Sequence, residues 1–148
     1  MLTLIAFIVA LGLLIAVHEY GHYRVAVACG VKVLRFSIGF GKPLFTWRRP
    51  GKPTEFVIGA LPLGGYVRML DEREAPVDAA ERHLAFNTQP LRSRAAIVAA
   101  GPAANLLLAV LLYAVINWSG VDEPKAVLST PVAGSVAERA GVRGGDLV

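Results

Sequence analysis

The sequence holds one cysteine, Cys29, so no intramolecular disulfide staples the chain and a disulfide scaffold is excluded. Charge is scarce as well. Only 18% of the 148 residues are charged, where a soluble domain carries about a quarter. Two stretches lack charge altogether: no Lys, Arg, Asp or Glu lies between Met1 and Val17, or between Ala95 and Val121. A hydrophobic content of 55% excludes disorder, because such a chain has ample surface to bury. The net charge of +4 invites a nucleic-acid partner, but twelve of the fifteen basic residues are gathered between Arg24 and Arg94, between the two apolar runs. This is the pattern of a membrane protein with a basic loop; its partner is the lipid bilayer, not nucleic acid.

A bilayer core of about 30 Å asks for roughly 20 helical residues. Leu2 to Val17 supplies most of them, free of proline, and the helix can continue to Cys29 with Gly30 as its left-handed stop. A signal peptide would need a basic start and a small-residue cleavage site. Here no Lys or Arg precedes the run, and His18-Glu19-Tyr20-Gly21-His22 follows it. The second run contains Gly101-Pro102, tolerable in a membrane helix, and small residues at Ala99, Ala100, Ala103 and Ala104 that let another helix approach. Positive charge favours the inner side of a membrane, which predicts the 24–94 segment in the cytoplasm and both chain ends outside.

The pentapeptide from His18 to His22 has the form H-E-x-x-H. On a helix, residues four apart share a face, so both imidazoles can turn to one metal ion, with Glu19 beside them. Zinc held this way acidifies a water and polarises a carbonyl, leaving the carboxylate to move protons. Gly21 gives a substrate or a second helix room to approach. Three ionisable groups joined to an apolar span are costly near lipid, which favours a functional reading over one of residues marking the end of the span. A catalytic zinc takes three protein ligands. The third is open here: position 28, where an extended motif would put a histidine, is alanine. His83 lies in a polar stretch, and nothing in the spacing of Glu55 or Asp71 singles either out.

Between the runs the pattern changes to short strand-like pieces punctuated by glycine and proline. Leu44–Trp47 and Glu55–Ile58 flank Arg48-Arg49-Pro50-Gly51-Lys52-Pro53, which predicts a hairpin. Such a hairpin can offer an edge to an extended peptide or serve as a packed structural loop. Asp71 to Arg94 reads as a polar connection with a short helix around Asp78–Phe86. Beyond Lys125 a soluble composition returns, with a short helix over Ser135–Ala140 ended by Gly141.

Taken with Phe36-Ser37-Ile38-Gly39-Phe40-Gly41, Pro62 to Met69, Ala85-Phe86-Asn87 and Gly101-Pro102-Ala103-Ala104-Asn105, the pentapeptide closely resembles the site-2 protease family of intramembrane zinc metalloproteases, in particular its bacterial regulator of sigma-E protease (RseP) branch. Ser135 to Gly141 with Gly144-Gly145-Asp146 resembles the opening of the PDZ domain these enzymes carry. The resemblance implies a mainly α membrane protein in which two transmembrane helices flank a cytoplasmic or re-entrant β-hairpin region, followed by the start of a PDZ-like domain. The divisions expected are a first helix over 1–30, a hairpin region over 31–70, a connection over 71–94, a second helix over 95–121 and a PDZ-like start over 122–148. It further implies zinc (Zn2+) on His18 and His22, Glu19 as catalytic base, and Asn105 lining the active site. The 31–69 segment would receive substrate as an added strand.

The implied reaction is cleavage of a transmembrane-helix protein in the bacterial inner membrane after an earlier cut, with an anti-sigma factor or remnant signal peptides as substrates. One departure stands out. The family's third ligand is the Asp of a Leu-Asp-Gly motif on a later helix; no such motif occurs here, and Leu70-Asp71-Glu72 belongs to the wrong segment. The chain therefore reads as the N-terminal portion of a longer enzyme, inactive or nearly so alone, whose remaining half supplies the third ligand. The alternative of another class is a non-catalytic membrane adaptor binding peptides through its hairpin and PDZ-like tail. It has no use for Glu19.

Overall fold

A computed structural model describes residues 1–120 and 126–147. The expected boundary between second helix and PDZ-like segment, at 121/122, lies outside the described residues. The chain forms two compact units, Met1–Leu112 and Tyr113–Val148.

In the first unit, α1 spans Leu2–Ala28. It is rich in leucine and alanine and contains no proline, so its hydrogen-bond ladder runs unbroken. The N–H groups of Cys29, Gly30 and Val31 bond back to Val25, Val27 and Ala26, and Gly30 closes the helix at φ +79°. The hairpin follows as β1 (Val33–Arg48) and β2 (Glu55–Met69). A short 3₁₀ helix over Ala79–Leu84, capped by Asp78 accepting from the Ala80 amide at 3.0 Å, leads into α2, Leu91–Ser119, which runs through Pro102. Both α1 and α2 are long and apolar enough to cross a membrane, and their apolar windows are 0% and 17% buried. Core helices of a soluble domain would be mostly covered. Such exposed apolar faces are what a membrane-spanning helix presents.

The hairpin is more folded than its sequence pattern conveys. β1 and β2 are antiparallel about the Arg49–Thr54 turn, with Phe45 opposite Ile58 and Arg48 opposite Glu55. At their other ends Phe36 lies opposite Val67 and Ile38 opposite Gly65. Arg35–Ile38 also lies beside Glu55–Ile58, the numbers rising together. Each long strand is thus bent on itself, so two strands make four runs in the order 43–48, 55–59, 33–38, 65–69. The bend in β1 sits at Gly39, φ +87°, where an added Cβ would meet the carbonyl oxygens of Gly59 and Leu61 at 2.9 Å. Only glycine fits there.

A small core of Ala26, Val31, Val33 and Ile97, surrounded by Tyr23, Val67, Met69 and Phe86, ties α1, the hairpin and the start of α2 together. The 71–94 connection is laced to the hairpin's roots: Lys32 N–H donates to Leu84, Leu70 N–H to Lys32, and Phe86 N–H to Leu70. Ala85 is fully buried, and Asn87 bonds both the backbone and the carboxylate of Glu72.

In the second unit, a four-residue helix α3 (Val136–Arg139) is capped by Ser135, whose Oγ accepts from Glu138 N–H, while Glu138 accepts from the Gly134 amide. Val127 and Leu147 form an antiparallel bridge.

Candidate metal centre

His18, Glu19 and His22 lie on α1 where its charge-free run ends. The helix brings the two Nε2 atoms to 3.1 Å from one another, with the rings edge to face. That separation is near the ~3.3 Å edge of a tetrahedron whose metal–nitrogen bonds are ~2.0 Å. The His22 Nδ1 contacts the backbone carbonyl of Ile97 at 2.6 Å. A carbonyl can only accept, so Nδ1 carries the proton and Nε2 of the neutral ring keeps its lone pair for a metal. On His18 the corresponding Nδ1 lies 3.4 Å from the Asn105 side-chain amide, whose Oδ1 is buried without a partner.

α2 supplies the space. Gly21 faces Ala100 and Ala104, where a Cβ would come 2.5 Å from the Ala100 carbonyl oxygen and 2.8 Å from the Ala104 methyl. The room that Gly21 provides is therefore used by the second helix. One residue on, a Cβ placed on Gly101 would overlap both imidazole nitrogens, 2.6 Å from His18 Nε2 and nearer still to His22 Nε2. A point within bonding range of both donors is thus held open because this residue has no side chain. Two facing imidazole nitrogens, a carbonyl that fixes the proton of His22 and an open point between the rings suit zinc.

Glu19 stands between two cavities. One, of about 470 Å³, is walled by His22, by Gly65–Met69 and by charged residues of the connection, among them Asp71 and Arg73. The other, of about 420 Å³, is lined by His18, Asn105 and apolar residues such as Leu11, Leu14 and Leu63. β2 reaches this close to α1 because Gly65 has no Cβ, which would sit 2.8 Å from Glu19 Cγ. The run 65–69 pairs on one side with 33–38, and among the described residues no strand pairs on its other side.

The carboxylates weighed as third donors are engaged elsewhere. Glu55 takes Arg35 at 2.7 Å, with Arg48 at 3.9 Å. Asp71 is chelated by Arg73, whose hydrogen bonds hold its carboxyl below the ordinary aspartate range. His83 stands in the 3₁₀ helix. Among the described residues no group of three His, Cys, Asp or Glu is placed to share an ion.

Residues 6–140 match peptidase family M50. The chain belongs to that family. Within this site-2 protease family it falls in the RseP branch. It is 52% identical to the regulator of sigma-E protease RseP of Escherichia coli over 143 residues, covering 96% of this chain and 31% of that protein. A Ralstonia nicotianae protein named as a zinc metalloprotease is 50% identical over 157 residues, covering all of this chain and 34% of its own length. A Xylella fastidiosa protein named likewise is 55% identical over 141 residues, covering 95% and 31%. The M50 chain thus spans about a third of the length of the curated relatives it matches, and zinc is the metal of its family.

Gly101, Gly65 and the Ile97 carbonyl were not singled out as site components by sequence reasoning. Gly101 carried a signal, adjacent to proline in an otherwise regular apolar run. A main-chain carbonyl carries none.

Proposed function

We propose that the chain is the zinc-bearing part of an endopeptidase that cuts single-span membrane proteins within the bilayer, with His18 and His22 as metal ligands and Glu19 as the base. The observation that carries this reading is the facing Nε2 pair above a helix position with no side chain. When bound, zinc polarises the scissile carbonyl and makes water a nucleophile at neutral pH. Glu19 takes the proton of the attacking water and delivers it to the leaving nitrogen. His22 keeps its donor nitrogen turned to the ion through its bond to Ile97. A half-turn of the Asn105 amide puts its unpartnered Oδ1 toward His18 Nδ1, so that Asn105 does the same for His18.

The two cavities give Glu19 a wet approach and an apolar one. Water arrives past Asp71 and Arg73, and an unwound helix segment arrives past Leu11 and Leu14. The edge of 65–69, unpaired among the described residues, lies along the wall shared with Glu19 and His22, and it supports binding of that segment as an added strand. In this reading the third ligand comes from a segment beyond the third of the relatives' length that the chain spans. The 24–94 segment faces the cytoplasm of a bacterial inner membrane, and 122–148 opens a PDZ-like domain. Its substrates in this reading are single-span membrane proteins such as an anti-sigma factor or remnant signal peptides.

The test compares wild-type and Glu19→Gln full-length protein on a model transmembrane helix, with zinc content measured in both. We expect cleavage to fall by about 10²–10⁴-fold while zinc stays bound. Full cleavage by the variant would remove Glu19 from the mechanism. Peptide binding without metal-dependent cleavage in wild type would favour the adaptor.

A further inference from the structure

A third cavity, of about 380 Å³, lies on the far side of α1's last turns and has no part in the metal centre. Its walls carry four cations, Arg24, Lys32, Arg49 and Lys52, and no carboxylate. Lys32 is compensated by Glu81. Arg24, Arg49 and Lys52 are in no salt bridge among the described residues. Unpaired like charges converging on one hollow repel each other, an arrangement that an anion relieves. The helix end beside it does not oppose an anion with bare carbonyls, since those of Val25, Ala26 and Val27 are taken by Cys29, Val31 and Gly30.

The remaining walls are aromatic. Tyr20 and Tyr23 come from α1 and Trp47 and Phe56 from the hairpin, with Tyr23 edge-on to Phe56 at 5.6 Å and Trp47 against Phe56 at 5.4 Å. Arg24 lies 5.9 Å from the Tyr20 ring centre. Arg24 is seven residues past the end of the charge-free run, about 10 Å along the helix at ~1.5 Å per residue. That is the depth at which aromatic rings and basic side chains mark the membrane surface.

We propose that this cavity binds the phosphate of an anionic phospholipid headgroup, held by Arg24, Arg49 and Lys52, with the aromatic walls against its glycerol and upper acyl chain. The cations recognise phosphate, which free phosphate would share. The lipid is favoured because the cavity is aromatic on one side and sits at the end of a membrane span. The inference rests on α1 crossing a membrane and is independent of the zinc chemistry.

The test uses full-length protein in detergent, with native mass spectrometry counting retained phosphatidylglycerol against phosphatidylcholine. Arg49→Gln/Lys52→Gln, both in an exposed turn, is compared with Arg139→Gln/Arg143→Gln, which removes the same charge elsewhere. At ~1 kcal/mol per surface cation, each charge lost from the cavity weakens phosphatidylglycerol about fivefold. We therefore expect about a 25-fold loss in the turn variant and no change in the other. Equal loss in both variants, or no preference for phosphatidylglycerol, would overturn the proposal. So would displacement of the lipid by millimolar inorganic phosphate, which would make this a site for a soluble anion.

Discussion

α1 and α2 are alike in length, apolarity and exposure, yet they contribute to the candidate metal centre in opposite ways. α1 offers the chemistry, with two imidazoles and a carboxylate in five residues. α2 offers only accommodation: a missing side chain at Gly101, small residues at Ala100 and Ala104, the carbonyl of Ile97 and the amide of Asn105. Donors on one helix turn can be found in many proteins. What distinguishes this pair is a neighbour that leaves the point between them empty and fixes which nitrogen of His22 is free.

That division of labour is easiest to break at Gly101. Gly101→Ala should favour the helix by ~1 kcal/mol through propensity alone, yet the new methyl occupies the point between the two Nε2 atoms. We expect zinc per chain and cleavage both to fall to background, read by metal analysis beside the model-substrate assay. Retention of zinc would show that the space is not where the ion sits. Asn105→Ala tests the other support. Loss of an outer partner to a ligating histidine costs about 10–100-fold in metal affinity, measurable by chelator competition, with cleavage largely restored at excess zinc.

A smaller effect separates two glycines of α1 itself. Gly21→Ala drives a methyl into the backbone of Ala100, an overpacking cost of about 1–3 kcal/mol. Gly12→Ala meets nothing within 4 Å and should be neutral or mildly stabilising. Thermal melting of both variants in detergent compares them, and equal melting points would mean that the helices do not need this close crossing. The smallest effect belongs to the connection. Because Arg73 holds the Asp71 carboxyl below its ordinary value, the contact adds stability above the unfolded pKa, about 3.9, and loses it as pH falls through the lower folded value. The stability gap between wild type and Asp71→Asn should be constant above about pH 5 and close below pH 4. A gap that widened in acid would have the wrong sign.

Much of this arrangement was legible in the residues. Absence of charge located both long helices but not all their ends, since α1 runs on through Arg24 to Ala28 and α2 already begins at Leu91, ahead of Arg92 and Arg94; Arg49 to Pro53 announced the turn of the hairpin. The 3₁₀ helix was legible only as a short helix, since Asp78 signals a cap but not the pitch that follows. The bending of β1 and β2 into four runs was not legible. Local alternation around Phe36 and Val57 fits a strand paired on either side, and only the folded chain lays Arg35–Ile38 against both halves of β2. The site divides in the same way. His18, Glu19 and His22 declare themselves because ligation and proton transfer, as proposed, use side-chain groups, whereas the Ile97 carbonyl and the space at Gly101 belong to the backbone, which every sequence has.

If a substrate is received as proposed, the 65–69 edge, which no further strand pairs among the described residues, has a bearing on selectivity. An edge strand bonds to main-chain amides and carbonyls, which all residues but proline present alike. A helical guest has already spent those groups on itself and must break its own ladder before it can be received. Discrimination by such an edge is then a ranking of guests by how cheaply a few turns come undone, so that glycine or a polar interruption in a guest helix would count for more than any particular side chain beside the cut.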